Sequence, residues 1–458
     1  MLISWLPASG LRIAAACGVL LLYVGFCVWT IRRHRRAPAE AATSGSPTTL
    51  VAYASQTGFA QQLATQTATS MRSAGLAVGL ESIRDVDVAR LSGVQRILFV
   101  VSTTGEGDAP DPAANFVRSV LAAAIPLQRL NYAILALGDR AYDNFCGFGH
   151  RLDTWLRHQG ATPLFDVVEV DNGDESALRH WQHQLGVLSG TPDLPDWDVP
   201  RYDRWRLVER KLLNPGSLGH PCFHLRLQPA AGSATWVSGD IAEIDPSNST
   251  WTDDSTQALP HREYSIASIP SDGAVDLLVR QMRRPGGELG LGSGWLTETA
   301  PLESEIALRI RSNPNFHPPT DARPLLLIGN GTGLAGLRAI LKARIASGAY
   351  RNWLFFGERH RATDFFYRED IERWYEQGCL EKLDLVFSRD QPEKQYVQHR
   401  LLTHAHEIRE WFAMGAAVHV CGSLEGMAPA VDAALREIVG ADVLEQLLIA
   451  GRYRRDVY

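Results

Sequence analysis

The residues best suited to chemistry lie in turns where hydroxyl and glycine residues follow a short apolar run. Leu50-Val51-Ala52-Tyr53-Ala54 leads into Ser55-Gln56-Thr57-Gly58-Phe59-Ala60, after which Leu63, Ala64, Thr67 and Met71 recur at helical spacing. Such a turn offers backbone N–H groups and side-chain hydroxyls to a phosphate. Alone, it fits ordinary helix capping equally well. Two further strands, expected over 97–101 and 132–137, end in similar loops. The first continues as Ser102-Thr103-Thr104-Gly105-Glu106-Gly107-Asp108 and the second as Gly138-Asp139-Arg140-Ala141-Tyr142-Asp143-Asn144-Phe145-Cys146. Ligands of an open α/β sheet sit beyond the carboxyl ends of its strands, so three loops placed this way converge on one site.

A different pattern follows, with polar and apolar residues alternating over 220–228 and 236–244, as antiparallel strands require. Within it, Arg262-Glu263-Tyr264-Ser265 reads as a strand expected to carry Arg262, Tyr264 and Ser265 on one face, a cation for a phosphate beside a ring and a hydroxyl. Gly290-Leu291-Gly292-Ser293-Gly294-Trp295-Leu296 suits a pyrophosphate at a helix start, or is simply a flexible turn. From Pro324 onward strands and helices alternate. Gly331-Thr332-Gly333-x-x-Gly336 follows the strand 325–328 and meets the generic dinucleotide fingerprint. On that fingerprint alone, Glu358 at the end of the next strand would bind a ribose and select NAD.

Leu137-Gly138-Asp139-x-x-Tyr142-x-x-Phe145-Cys146 and the three loops resemble the flavodoxin-like FMN domain of diflavin reductases. Arg262-x-Tyr264-Ser265 with its Gly-rich turn resembles the FAD signature of the ferredoxin–NADP reductase superfamily. The resemblance runs over roughly residues 50 to 458, and the tail is most similar to that of sulfite reductase flavoprotein subunits. It implies that Ser55, Gln56, Thr57, Gly58 and Ala60 hold the FMN phosphate. Ser102, Thr103, Thr104, Gly105, Gly107, Gly138, Asn144 and Phe145 would flank the ring, Tyr142 would stack on it, and Asp171 with Asn172 would border it. FAD falls to Arg262, Tyr264, Ser265, Gly292, Ser293 and Trp295. The nicotinamide nucleotide falls to Gly331, Thr332 and Gly333. Ser388, Arg389, Lys394, Tyr396 and Gln398 match a 2′-phosphate pocket, which implies NADPH against the NAD suggested by Glu358. Tyr458 would stack on the FAD ring, and Ser265, Cys421, Asp456 and Tyr458 would form the catalytic group. Three departures stand out: Gly294 where Ser or Thr is frequent, Gly336 where Pro is frequent, and only a short segment between Asn248 and Arg262, where large diflavin reductases insert a helical connecting domain.

At 458 residues the chain is long enough for two or three domains. Its 45% apolar and 21% charged content indicates globular folding, and a net charge of −6 argues against a nucleic-acid binder. The six cysteines show no C-x-x-C spacing, so neither a zinc site nor a disulfide framework is expected, and no metal is assigned. The charge-free run 13–31, followed by Arg32-Arg33-His34-Arg35-Arg36, predicts a single-pass anchor with the catalytic domains on the cytoplasmic side of the inner membrane. The expected division is a transmembrane helix (11–31), a basic flank and tether (32–49), an α/β flavodoxin-like FMN domain (50–188), a linker (189–204), an antiparallel β-barrel FAD domain (205–320) and an α/β NADPH-binding domain (321–458). The implied function is electron transfer from NADPH through FAD and FMN to a haem- or metal-containing protein acceptor. Read with the anchor, that acceptor is a membrane haem or siderophore reductase system. Its alternatives are the flavoprotein component of assimilatory sulfite reductase and an FMN adaptor with little NADPH oxidation. Asp108, Asp111, Asp139 and Asp143 are expected to form an acidic rim facing the acceptor. Oligomeric state is not legible.

Overall fold

A computed structural model describes residues 49–191, 197, 201–246, 261–284 and 286–458. Three sheets organise them. The first is parallel, with β1 (Thr49–Ala54), β2 (Val78–Ser82), β3 (Arg96–Ser102), β4 (Asn131–Gly138), β5 (Thr162–Pro163) and β6 (Val168–Asp171). Its order is β2-β1-β3-β4-β5, with β6 also paired to β4. Successive side chains of a strand point to opposite faces, so β1 and β3 each feed two cores. Leu50, Ala52, Ile97 and Phe99 pack on one face, and Val51, Leu98 and Val100 on the other. Both faces are covered by helices, which is why these strands are apolar almost throughout.

The second sheet is antiparallel: β7 (Asp203–Leu212), β8 (Cys222–Pro229), β9 (Ile241–Asp245), β10 (Arg262–Ser265), β11 (Val275–Arg280) and β12 (Glu305–Arg311), in the order β10-β9-β12-β7-β8-β11. A bridge between Ile266 and Leu277, with Ala267 N donating to Asp276 O at 2.8 Å, joins the two ends into the expected barrel. The barrel encloses Trp205, Leu225, Ile244, Leu277, Trp295 and Leu308. The third sheet is parallel, with β13 (Leu325–Asn330), β14 (Asn352–Glu358), β15 (Lys382–Phe387), β16 (Ala417–Gly422) and β17 (Tyr453–Val457) in the order β15-β14-β13-β16-β17. The chain reverses direction across the sheet between β13 and β16, the position where such sheets bind nucleotides.

The expected membrane anchor is corrected here. Among the described residues no helix is long and apolar enough to cross a membrane. The span 11–31 and nearly all of the flank and tether 32–49 lie outside the described residues. Thr49, assigned to the tether, instead opens β1 and pairs with Val78 and Arg96. One apolar run with basic neighbours is therefore no support for a transmembrane helix, a membrane partner or an inner-membrane location.

On the outer face of the barrel, opposite the core residues Ala242, Ile244 and Leu308, the fully buried Glu243 accepts hydrogen bonds from Arg309 and Arg311, the latter only 4% exposed. Two guanidinium groups thus share one carboxylate away from water. Removing one partner of a buried ion pair leaves an unsolvated charge. Glu243→Ala should therefore cost about 3–5 kcal/mol of stability, whereas Glu305→Ala, which breaks the exposed pair with Arg204, should cost less than about 1 kcal/mol. Urea unfolding followed by tryptophan fluorescence compares the two, and equal losses would show that Glu243 does not anchor the barrel.

Candidate functional site

The loops after β1, β3 and β4 surround a cleft of about 200 Å³. Ser55, Thr57 and Ala60 line it from the first loop, Ser102, Thr103 and Gly105 from the second, and Gly138, Tyr142, Asn144 and Phe145 from the third. Among the described residues, the buried hydroxyls of Ser55 and Thr103 have no hydrogen-bond partner. A buried hydroxyl left unpaired costs about 1–3 kcal/mol, so both fit a phosphate-bearing ligand that would satisfy them. Burial raises the Tyr142 phenol above its ordinary pKa, with Asp139 and Glu106 adding to the effect, so the ring is neutral. That suits an aromatic face against a flat ring.

Other expected residues take different places. Asp171 uses its carboxylate to accept from Arg140 N at 3.0 Å, and the cleft is bordered instead by Asn172 and Gly173. Thr104 closes its own loop by bridging to Asp108, and Gly107 packs tightly against Asn144. Gln56 turns away from the cleft to bond Asp111 and the carbonyl of Arg455. Gly58, at φ +88°, is demanded by the barrel rather than by a phosphate: a Cβ there would lie 2.1 Å from the carbonyl oxygen of Ser312.

The first loop is thus docked on the rest of the chain. Arg311 donates to the carbonyl of Thr57 and, at 3.2 Å, to its hydroxyl. Asn315 donates to the carbonyls of Ser55 and Gln56. His261 and Glu263, from the barrel, line the same cleft. The acidic rim is corrected in part. Asp108 and Asp143 are exposed, but Asp111 is paired with Arg455 of the same chain, and Asp139 accepts from Ala141 N. Arg311, Asn315, His261 and Arg455 escaped the sequence reading, because their partners lie far away in the chain; only His261, adjoining the Arg262 motif, carried any local signal.

On β10 the expected single face is also corrected. A strand has a period of two, so Arg262 and Tyr264 share a face and Ser265 takes the opposite one. Arg262 and the Tyr264 hydroxyl lie against Gly292, where a Cβ would come within 2.5 Å of Arg262 Cγ. This close approach fits a pyrophosphate turn backed by a cation. Ser293 accepts from Met282 N at 3.1 Å, and Trp295 packs into the barrel core. Gly294 also has a steric reason: a Cβ would stand 2.4 Å from that of Leu289, so a hydroxyl residue does not fit.

Ser265 instead joins the third sheet. Its hydroxyl lies 3.0 Å from Asp456 Oδ2, and Cys421 Sγ lies 3.8 Å from the same oxygen. Cys421 pairs with Asp456 across β16 and β17, which sets this proximity by register. The Tyr458 hydroxyl is 3.4 Å from that of Thr332, and the residue is 54% exposed. All four expected catalytic residues are therefore near one another, beside the turn Gly331, Thr332 and Gly333. Gly333 packs so closely that a Cβ would meet the Cys421 carbonyl oxygen at 2.1 Å. Burial pushes the Cys421 thiol well above its ordinary pKa, with Asp456 adding to the rise, and raises Asp456 to about 6 against the pull of the Ser265 hydrogen bond.

Beyond β14 and β15, Ser388 is buried and Gln398 half-buried, while Arg389, Lys394 and Tyr396 are exposed. The Ser388 and Arg389 amides donate to the carbonyls of Glu358 and Arg359, at 2.8 and 2.9 Å. Arg389 and Lys394 are both exposed on this loop.

Two protein families match this chain: Flavodoxin over residues 51–181 and Oxidoreductase NAD-binding domain over 327–433. With the sites above, they define an NADPH-dependent flavoprotein oxidoreductase whose cofactors are FMN, FAD and NADPH. Curated relatives extend the similarity to nearly the whole chain. The sulfite reductase (NADPH) flavoprotein alpha-component of Vibrio vulnificus is 27% identical, the alignment covering 92% of this chain and 89% of the relative. That of Bacillus subtilis is 26% identical, covering 92% of each. That of Neisseria meningitidis is 26% identical, covering 88% of each. The Vibrio alignment spans 554 positions, more than the 458 residues of this chain, so the relative carries stretches that this chain lacks.

Because burial lifts the folded pKa of Asp456 above its ordinary 3.8, the fold prefers the neutral acid. This group contributes stability that is full below about pH 4 and is lost as pH rises through about 6. Asp456→Asn should flatten the pH dependence of the urea midpoint between pH 4 and 7. An unchanged slope would assign that titration to another group.

Proposed function

We propose that this chain is the flavoprotein component of a sulfite-reducing system, taking electrons from NADPH and delivering them to a haem-containing partner. The unit 50–188 would hold FMN, 205–320 FAD and 321–458 NADPH, with 189–204 as linker. The observation that carries electron transfer within the chain is the sharing of β17 by both sites: Asp456 faces Ser265 and Cys421, while the Arg455 carbonyl and side chain hold Gln56 and Asp111 at the FMN loop. The choice of sulfite reduction over a membrane haem system is supported by the relatives' being sulfite reductase flavoproteins and by their near-complete overlap with this chain.

The flavins supply the redox chemistry, accepting two electrons together and releasing them singly. The residues supply placement. Ser265 fixes the Asp456 carboxyl through its 3.0 Å hydrogen bond, and an ionised Asp456 would stabilise positive charge developing on the nicotinamide. Cys421 stays a protonated thiol and packs the site without acting as a nucleophile. Tyr458, which is exposed, would lie against the FAD ring and would have to turn aside for the nicotinamide. Ser55, Thr57 and Thr103 would bind the FMN phosphate and ring edge, with Tyr142 against its face. Ser388, Arg389 and Lys394 would bind the 2′-phosphate.

Cofactors released by denaturation should be FMN and FAD at one each per chain, and one flavin type at full occupancy would sink the two-site scheme. The flavin-loaded chain, given NADPH, sulfite and the haem subunit of a sulfite reductase from the same organism, should form sulfide at a rate proportional to the chain. Rapid reduction of an artificial dye with no sulfide formed would reject sulfite reduction and leave the reductase without this acceptor. Within the first domain, Tyr142→Ala should lose FMN and dye reduction while FAD reduction by NADPH persists. Arg389→Ala should remove much of the NADPH advantage over NADH, since a charge-assisted hydrogen bond is worth roughly 1.5–3 kcal/mol. Stopped-flow FAD reduction with each nucleotide measures both variants.

A further inference from the structure

Glu358 occupies the position from which an acidic residue ordinarily binds the ribose 2′-hydroxyl of NAD, at the end of the strand beside the glycine turn. Here each oxygen of its carboxylate already accepts a hydrogen bond. Oε1 accepts from Arg280 Nη2 at 2.5 Å, and Oε2 accepts from the backbone amide of Arg359 at 2.8 Å. The pair is sheltered, with the Glu358 side chain 7% exposed and that of Arg280 22%. Arg280 reaches it from β11 of the barrel, 78 positions away in the chain. The pair also stands at the nucleotide turn itself: a Cβ on Gly331 would lie 3.0 Å from Arg280 Nη2 and 3.5 Å from Glu358 Oε1.

An ionised carboxylate at this point would do two things. It would accept from a ribose 2′-hydroxyl, and it would repel a 2′-phosphate bound by Ser388, Arg389 and Lys394, whose loop is hydrogen-bonded to the backbone of Glu358 and Arg359. The other nearby acids are engaged elsewhere: Asp364 is 2% exposed and bonded by Asn214 and the His360 amide, and Asp390 accepts from Arg361 N at 2.8 Å and lies 2.9 Å from His360 Nδ1. Glu358 is thus the acid whose charge matters at the turn, and Arg280 is the cation that cancels it.

We infer that Arg280 is a specificity-determining residue: by clamping Glu358 it removes the acceptor that NAD would use and the negative charge that a 2′-phosphate would meet. The inference rests on the NADPH pocket proposed above. The clamp acts through Glu358, so Arg280 is a positioning residue and its loss should be cured by removing the freed charge.

The test is calorimetric binding of 2′,5′-ADP and 5′-AMP, which differ only in the 2′-phosphate, to the flavin-loaded full chain. Arg280→Gln should weaken 2′,5′-ADP by at least about ten-fold, as like charges brought together require, while 5′-AMP changes little. Glu358→Gln should alter the ratio of the two affinities by no more than about three-fold. The double variant Arg280→Gln/Glu358→Gln should recover most of the 2′,5′-ADP affinity. A double variant as weak as Arg280→Gln alone would overturn the clamp and make Arg280 a direct phosphate contact. Equal losses for both ligands would overturn it as well. A wild-type chain that binds both ligands equally would sink the 2′-phosphate pocket itself, a failure read before any variant is made. Far-ultraviolet circular dichroism and retained flavin identify any variant that fails to fold, and in that case Arg280→Lys, which keeps the charge, should preserve the preference for 2′,5′-ADP; its loss in a folded chain would count against the clamp.

Discussion

The alternation of side chains along β17 is the constraint on which both halves of the site depend. Successive residues of a strand point to opposite faces, so Asp456 must enter the pocket of Ser265 and Cys421 when Arg455 points outward to Asp111. Tyr453, 2% exposed, pins the start of the strand in the third core, and five parallel pairings with β16 fix its register. A slip of one residue would exchange Arg455 for Asp456, burying a cation beside Ser265 and Cys421 and pointing an acid at Asp111.

Sheltered ion pairs occur both within the barrel and between the units. Glu243 with Arg309 and Arg311, Glu358 with Arg280, and Asp111 with Arg455 each place opposite charges in sheltered positions. Such pairs are geometrically demanding, because a buried charge is tolerated only when its partner is correctly placed. Arg311 shows the consequence, since the guanidinium that completes the barrel's buried pair also bonds Thr57 in the loop after β1. Barrel geometry and loop placement are therefore linked through one side chain. Arg280 does the same between the barrel and the nucleotide turn.

The parallel and antiparallel units were legible because strand and helix periodicities are local, and the glycine and hydroxyl turns were legible because phosphate binding needs consecutive N–H groups. Even so, local reading erred where a side chain had a choice of direction. Ser265 was grouped with Arg262 and Tyr264, although an odd offset sends it to Asp456. Asp171 was given to the cleft, yet it holds Arg140 N while Asn172 and Gly173 form the border. Asp111 was placed on an open rim, yet Arg455 occupies it. The membrane anchor was inferred from an apolar run and its basic flank, and no described helix supports it.

By itself the sequence determined the succession of units, the loops able to meet phosphates, and the residue types available for hydride and electron transfer. These follow from interactions within a few residues, where spacing alone decides which groups share a turn. Tertiary structure alone decided which of those groups meet. Ser265, Cys421 and Asp456 come from three strands of two sheets, and Glu358 is answered by an arginine in the barrel. Charge and hydrogen bonding act over a few ångströms regardless of separation along the chain, so no spacing rule in the sequence could have paired them.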